Sequence, residues 1–359
     1  MKEIPLFKVR MSEFASEEVS KVLTSGFIGQ GQKVEDFEDL LWQELKTETR
    51  PVTVNSCTSA IDLALELIGV TAGDEVISSP QTCFASQVGA MHRGATIRWA
   101  DIDPITGLID PNSVQKLITE KTKAIICVNW AGKLCDFEVI KTFGIPVVED
   151  AAHTWDSFDT QGKSRGDYIC YSFQAIKFLT TGDGGIIVCP KEKEHDARLL
   201  RWFGLDRTKG QSFRCTQNIT EAGFKYQMND IAAAIGICNI IEARDSVEKH
   251  RNNSKKIIEE VNNPNLVLPD WDETCSYWLF SMHVLNGRKP DFMVYLTEKG
   301  IGSSPVHFRN DRYDCTLKFQ EEQLPGVDSF SDTQVCIPNG WWLRDTDVDY
   351  IIKTLNEFY

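Results

Sequence analysis

The feature that most narrows the fold is a rhythm between about residues 50 and 190, where short Val- and Ile-rich runs alternate with segments of helical periodicity. Seven runs read as strands: RPVTVNS, DEVISSP, TIRWADID, TKAIICVNW, IPVVED, YICYSF and GGIIVC. Between the first two, Ala60, Ile61, Ala64, Leu65 and Ile68 recur at helical spacing, and Gly69 offers a C-terminal stop. This strand, loop, helix unit is the building block of a mostly parallel sheet covered by helices.

The rhythm changes after about residue 230. A long helical pattern begins at Asp230 and runs to Val261, where NNPN breaks it; it should form the arm between a large domain and a smaller one. The remainder, Leu266 to Tyr359, mixes short strands with helices and reads as a compact α+β unit. The expected division is 1–240 for the large domain, with its N-terminal segment, and 241–359 for the small one. With 359 residues, 42% of them hydrophobic, the chain is long enough for both cores. It has no internal repeat and no low-complexity segment.

Charge and cysteine usage exclude several classes. A formal net charge of -14 argues against a general affinity for nucleic acid, which needs a basic face. Eleven cysteines, none in a C-x-x-C pair, support neither a zinc ribbon nor a complete disulfide framework, so reduced and mostly buried thiols are expected. The N-terminal MKEIPLFKVRMSEF is broken by charge every few residues, unlike a signal peptide, and no apolar run approaches a membrane span. The expected location is the cytoplasm.

Four stretches could carry chemistry. SGFIGQGQ superficially matches a dinucleotide fingerprint, but its glycine gaps are in the wrong order and it follows a helical pattern; it reads as a turn before the helix KVEDFEDLLWQEL, with a loop that edges an active site as the alternative. NSCTSA joins a strand to a helix N-terminus and is rich in hydroxyl and amide donors. It suits either a phosphate, held by backbone N–H groups with Thr58 and Ser59, or a simple helix cap. IPVVEDAAH ends a strand in Glu149 and Asp150, with His153 three residues on, at the carboxyl edge where open α/β sheets keep their ligands. Asp150 could pair with a cation or a protonated ring nitrogen, or cap a helix; His153 could serve the site or be a satisfied structural histidine. A metal site is not expected, because no second histidine stands at ligand spacing. In SFQAIKFLTTGDGG, Lys177 lies between Ile176 and Phe178. Such apolar company either lowers its pKa and makes it a nucleophile, or the side chain reaches out to solvent.

Together these are the parts that hold pyridoxal 5'-phosphate: an anchor for its phosphate, a carboxylate for its pyridine nitrogen and an amine for its aldehyde. At this point the chain resembles the DegT/DnrJ/EryC1/StrS family of sugar aminotransferases. The resemblance is carried in order by SGFIGQGQKVEDFE, NSCTSAIDLALELIGVTAGDEVISSPQTCFAS, TKAIICVNWAGKLCD, VVEDAAH, GDYICYSFQAIKFLTTGDGG, GFKYQMNDIAAAIG and VCIPNG.

The resemblance implies the type I fold of pyridoxal-phosphate enzymes: an α/β large domain with a mostly parallel seven-stranded sheet, plus a smaller α+β C-terminal domain. By matching position it makes Lys177 the Schiff-base lysine and Asp150 the partner of the pyridine nitrogen. Phe84 falls where an aromatic ring stacks on the cofactor, His153 beside its phenolic oxygen, and Ser172, Thr58 and Ser59 at its phosphate. Lys225 would reach the phosphate from the other subunit of a homodimer. Lys225 stands where Asn is common, Cys57 where glycine is common and Gln227 where Arg is common. The implied reaction moves an amino group from L-glutamate to a nucleotide-linked keto-deoxysugar, a 4-keto-6-deoxyhexose ahead of a 3-keto one. His307 and Arg309 are candidates for its anionic groups, with ordinary solvated surface as the plain alternative. The other readings are a sugar dehydratase of the same fold, in which histidine replaces the lysine, and a non-catalytic regulator that senses the cofactor or a sugar. Lys177 speaks against the first, and the set Asp150, Ser172 and Lys177 against the second.

Overall fold

A computed structural model describes residues 3–155, 165–209, 215–320 and 323–359. All seven runs form strands: β1 (Val52–Val54), β2 (Glu75–Ser78), β3 (Thr96–Trp99), β4 (Thr122–Val128), β5 (Val147–Asp150), β6 (Tyr168–Ser172) and β7 (Gly185–Val188). They make one sheet in the order β1-β7-β6-β5-β4-β2-β3, in which β7 alone runs against its neighbours. The apolar runs are explained by burial on both faces. Along β4, Ala124 and Ile126 enter one hydrophobic cluster while Ile125 and Cys127 enter another, so all four of these consecutive positions require an apolar side chain.

Two helices precede the sheet, α1 (Ala15–Ser25) and α2 (Gln32–Leu45). Four more are crossovers between its strands: α3 (Cys57–Ile68), α4 (Ala85–His92), α5 (Pro111–Leu117) and α6 (Phe137–Lys141). Then come α7 (Glu194–Leu200) and α8 (Asp230–Glu260), the latter continuous over 31 residues. The SGFIGQGQ turn ends in a cap that chain neighbours do not supply. Asp230, at the start of α8, accepts the N–H groups of Gly31 at 2.7 Å and Val34 at 3.2 Å on one carboxylate oxygen. A carboxylate satisfies the free donors and the positive end of a helix. A Cβ on residue 31 would lie 2.7 Å from Asp230 Oδ2, which accounts for the glycine.

A buried ion cluster fastens α2 to the sheet. Glu38 is fully buried; its Oε1 accepts from the Thr53 N–H at 3.0 Å, the Thr53 hydroxyl at 2.7 Å and Arg201 Nη1 at 2.6 Å. Its Oε2 accepts from Arg198 Nη1 at 2.7 Å, tying in α7. Burial alone would raise the pKa of this carboxyl, but Arg201, Arg198 and the Thr53 amide outweigh it and hold the group at about 2. Glu38→Ala leaves two buried guanidinium groups short of a partner and should cost about 3–5 kcal/mol, read as a lowered denaturation midpoint. Because the folded pKa lies below the unfolded value of 4.5, the stabilisation is complete above that value and fades as pH falls towards about 2. Acid titration of stability in wild type and Glu38→Ala should therefore converge at low pH.

The last third of the chain builds a three-stranded antiparallel sheet from β8 (Leu266–Val267), β9 (Phe280–Val284) and β10 (Gln334–Ile337), in the order β10-β9-β8. Helices α9 (Lys289–Glu298), α10 (Pro325–Thr333) and α11 (Asp345–Asn356) accompany it. Phe280, Phe292, Val335, Ile351 and Leu355 form its core, and Ile4 is buried with them. The Ile4 N–H donates to Gly300 O at 2.8 Å, so the described chain begins against this second sheet before it joins the first. Trp278, two residues before β9, instead packs into the core of the large sheet. No described helix is long and apolar enough to cross a membrane.

Candidate active site

The parallel strands deliver their carboxyl ends to a cavity of about 410 Å³, within the usual range for small-molecule sites. Ser56, Cys57 and Thr58 follow β1, Thr82 and Cys83 follow β2, Val128 ends β4, Asp150 ends β5 and Ser172 ends β6. This is the edge at which open α/β sheets bind ligands. Because β7 is reversed, its first residue, Gly185, arrives at the same edge, opposite Val54 and Ser172.

Lys177 sits in the tight turn after β6, its N–H donating to Gln174 O at 2.9 Å. Its Nζ lies 3.5 Å from the centroid of the Trp278 ring. The ring face and the nearby Asp150 charge both favour the ammonium. Burial opposes them and dominates, bringing the pKa from 10.5 down to about 8. At pH 7.5 such a group is about one quarter neutral, against about one part in a thousand for an ordinary lysine. The turn has turned a poor nucleophile into a usable one.

Asp150 is 4% exposed. One oxygen, Oδ2, accepts from Ser86 Oγ at 2.7 Å, and the other accepts from the Ala152 N–H at 3.1 Å. Burial raises its pKa against the effect of these donors and of Lys177. A cationic ring nitrogen would offset that burial.

His153, 3% exposed, stacks on Trp278 with ring centroids 4.2 Å apart and faces His307 at 6.1 Å. Burial pushes the pKa of His153 well below its ordinary value and that of His307 down to about 4, so both rings are neutral near pH 7. The Nδ1 of His153 is buried and has no hydrogen-bond partner among the described residues. A buried ring nitrogen so placed fits a polar atom of a ligand. Val306 next to His307 adopts φ +68°, a strained conformation for a β-branched residue, fixed in part by its N–H bond to Ser304 Oγ at 2.9 Å.

At the start of α3, Ser56 is the cap: its Oγ accepts the Ser59 N–H at 3.1 Å. Helix geometry leaves the N–H groups of Cys57 and Thr58 without an intrahelical acceptor. Both capping and anion binding, the two readings of NSCTSA, therefore fit one turn. Gly185 is what lets β7 pass it. A Cβ there would stand 2.6 Å from Tyr171 O, 2.7 Å from Cys57 N and 2.8 Å from Ser56 C, all backbone atoms that cannot swing aside. Gly185→Ala should therefore displace the α3 N-terminus. Calorimetric titration is expected to show phosphate-bearing ligands bound at least about tenfold more weakly, with the melting temperature also lowered.

Lys177, Asp150, His153, Ser172, Thr58 and His307 thus share one cavity. Four other expected residues do not line it. Ser59 is buried in the cap, its hydroxyl donating to Asn55 Oδ1 at 2.7 Å. Phe84 lies between the lining residues Cys83 and Ala85, but its ring meets Tyr313 edge-on at 5.4 Å. The Lys225 side chain is exposed, with its ammonium 4.0 Å from the Trp202 ring centroid, although Asn55 Nδ2 donates to its carbonyl at 3.3 Å. Arg309 is the clearest correction. It is 4% exposed and bonds Asp311 twice at 2.7 Å, with Asp328 as a further partner, in a separate cavity beside Trp99. A guanidinium so neutralised cannot serve an anionic substrate here. Sequence reasoning passed over Ser56, Thr82, Ser86 and Trp278. Of these only Ser56 carried a signal, its place before a helical pattern.

Among the described residues no group of His, Cys, Asp and Glu is placed to hold a metal ion. A poised lysine, a buried carboxylate, an unpaired buried ring nitrogen and an open helix end on one cavity fit pyridoxal phosphate group by group, and they define a pyridoxal-phosphate enzyme of the lysine type. Comparison with known proteins gives the narrower answer. The model of the DegT/DnrJ/EryC1/StrS aminotransferase family matches residues 9–356, and the chain belongs to that family, whose aminotransferases depend on pyridoxal phosphate. The crystal structure of AtS13 from Actinomadura melliaura is 33% identical and superposes with a TM-score of 0.93, covering 100% of both chains. That of the sugar aminotransferase CalS13 from Micromonospora echinospora is 31% identical with a TM-score of 0.90, covering 99% of this chain and 100% of the other. Spr1654 from Streptococcus pneumoniae, in its PLP-form, is 25% identical with a TM-score of 0.88, over 99% and 98%.

Proposed function

We propose that this aminotransferase moves an amino group from L-glutamate to a nucleotide-linked keto-deoxysugar, in two half-reactions served by one cavity. The observation that carries the reading is the placement of Lys177, with its lowered pKa, and Asp150 on the same wall-to-wall space of sugar-sized volume. When bound, the cofactor supplies an aldehyde for an amine to bond and a pyridine ring that accepts the electron pair of a carbanion.

The chain does the rest. Lys177 Nζ is the amine that would hold the aldehyde carbon and, when free, the base that would take a proton from the substrate carbon and return it. Asp150 keeps a proton on the ring nitrogen by remaining an anion beside it. The Cys57 and Thr58 amides, with the hydroxyls of Thr58 and Ser172, hold the phosphate. His153 Nδ1, buried without a partner among the described residues, would serve the ring's phenolic oxygen. Trp278 and the neutral ring of His307 wall off water.

Apart from Lys177, the lining carries no Lys or Arg among the described residues. The phosphates of a sugar nucleotide therefore call for cations from elsewhere. A second copy of the chain can bring a cation to the site: Lys225 is exposed and does not line its own cavity, which suits the reading that it reaches the cofactor's phosphate in a neighbour's site. We therefore take the working unit to be a homodimer. The test is to incubate the protein with pyridoxal phosphate, glutamate and a panel of nucleotide keto-sugars, 4-keto-6-deoxyhexoses first, and to follow products by mass spectrometry. An amino sugar nucleotide formed with 2-oxoglutarate supports the proposal; conversion of free keto acids alone would overturn it.

A further inference from the structure

We infer that Ser86, backed by Thr82, is a positioning residue whose hydroxyl keeps Asp150 ionised, so that the shared proton stays on the cofactor's ring nitrogen. The inference rests on the reading of Asp150 as that nitrogen's partner. Ser86 is fully buried on the first turn of α4, with Oγ 2.7 Å from Asp150 Oδ2 and 3.1 Å from Thr82 Oγ1. A serine hydroxyl has one proton and a carboxylate can only accept, so Ser86 donates to Asp150 and must accept from Thr82. The result is a one-way chain: the Thr82 hydroxyl donates to Ser86, which donates to the carboxylate. It ends on the oxygen that the Ala152 amide does not touch.

The surroundings make this donor necessary. The groups that face Asp150 are Lys177, the thiols of Cys57 and Cys170, and Glu149 beside it on β5, with His153 in the same cavity. Burial holds both thiols protonated, and Cys57 Sγ lies nearer the Cys170 carbonyl, at 3.5 Å, than Asp150 Oδ1, at 4.0 Å. The Glu149 charge is matched by Arg165 at 2.5 Å. Lys177 is the one cation acting on Asp150 among these groups, and it is neutral whenever it works as a nucleophile. At that moment only the ring nitrogen and the hydrogen-bond donors are left to favour the anion. A carboxylate and a pyridine nitrogen would compete for one proton; a hydrogen-bond donor on the carboxylate lowers its basicity and would leave the proton on the ring. Helix capping does not explain Ser86, because the N-cap position of α4 is Phe84 and no side chain caps it.

The test uses the full chain as wild type, Ser86→Ala, Ser86→Thr and Thr82→Val, each titrated with pyridoxal phosphate across the pH range in which Asp150 and Lys177 ionise. Ser86→Ala should move the acid limb of cofactor binding up by about one pH unit. It should lower kcat about tenfold with little change in KM for the donor. Thr82→Val should shift the limb in the same direction by less, and Ser86→Thr, which keeps the hydroxyl, should restore the wild-type limb. If Ser86→Ala does not fold, the Thr82→Val shift decides. An acid limb unmoved in the variants that fold overturns the inference. Failure of the wild-type protein to bind pyridoxal phosphate would bring down the cofactor reading instead.

Discussion

Lys177→Ala is expected to lower turnover by about 10³–10⁴-fold while leaving the fold intact. The loss is large because in the proposed reaction one atom, Nζ, both bonds the cofactor and carries the proton, and no other lysine lines the cavity among the described residues. The fold should survive because the substitution removes a cation whose desolvation is costly; the melting temperature of the variant without cofactor is expected to equal or exceed that of wild type. A small exogenous amine should restore part of the activity by supplying the missing base. Undiminished turnover would remove Lys177 from the reaction, whereas lost turnover with a collapsed melting curve would mean only that the turn after β6 needs the side chain. The same lysine sets a pH dependence. With a pKa of about 8, the rate at which the protein captures cofactor should rise about tenfold per pH unit below 8 and level off above it; stopped-flow absorbance reads this directly.

Asp150→Asn is expected to cost about 10²–10³-fold in kcat while cofactor binding is weakened rather than abolished. An amide still fills the space and can accept from Ser86 Oγ or the Ala152 N–H. It cannot remain an anion, so the proton on the ring nitrogen loses its partner and the ring its capacity to hold an electron pair. Burial raises the pKa of Asp150 above 3.8, so the wild-type acid limb should lie above that value and should vanish in the variant. Wild-type turnover in Asp150→Asn, measured by formation of the keto acid, would show that another group protonates the ring.

Much of this was legible before any coordinates. The strands were readable because most are buried on both faces, which leaves short runs rich in Val and Ile that loops and surface helices do not produce; the edge strand β3, buried on alternate residues, shows it least. The lysine and the carboxylate were readable because their place at strand ends fixes where they go. What failed depended on contacts between distant or unpatterned residues. Asp311 stands only two residues from Arg309, but nothing in the pattern says that it and the more remote Asp328 will fold onto the guanidinium and neutralise it. The cap of α2 comes from Asp230, far along the chain, and Trp278 enters the site from the border of the second sheet. In NSCTSA the motif was legible but not the division of labour within it: Ser56 caps the helix, and the Ser59 hydroxyl, read as a phosphate contact, donates to Asn55 instead.

The central claim is that one lysine of this chain bonds the cofactor. Load the protein with pyridoxal phosphate, reduce the linkage with borohydride, digest, and map the modified peptide by mass spectrometry. The structure predicts the pyridoxyl group on Lys177, and none when the protein is first converted with an amino donor. A pyridoxyl group on any other lysine, with Lys177 unmodified, would contradict it.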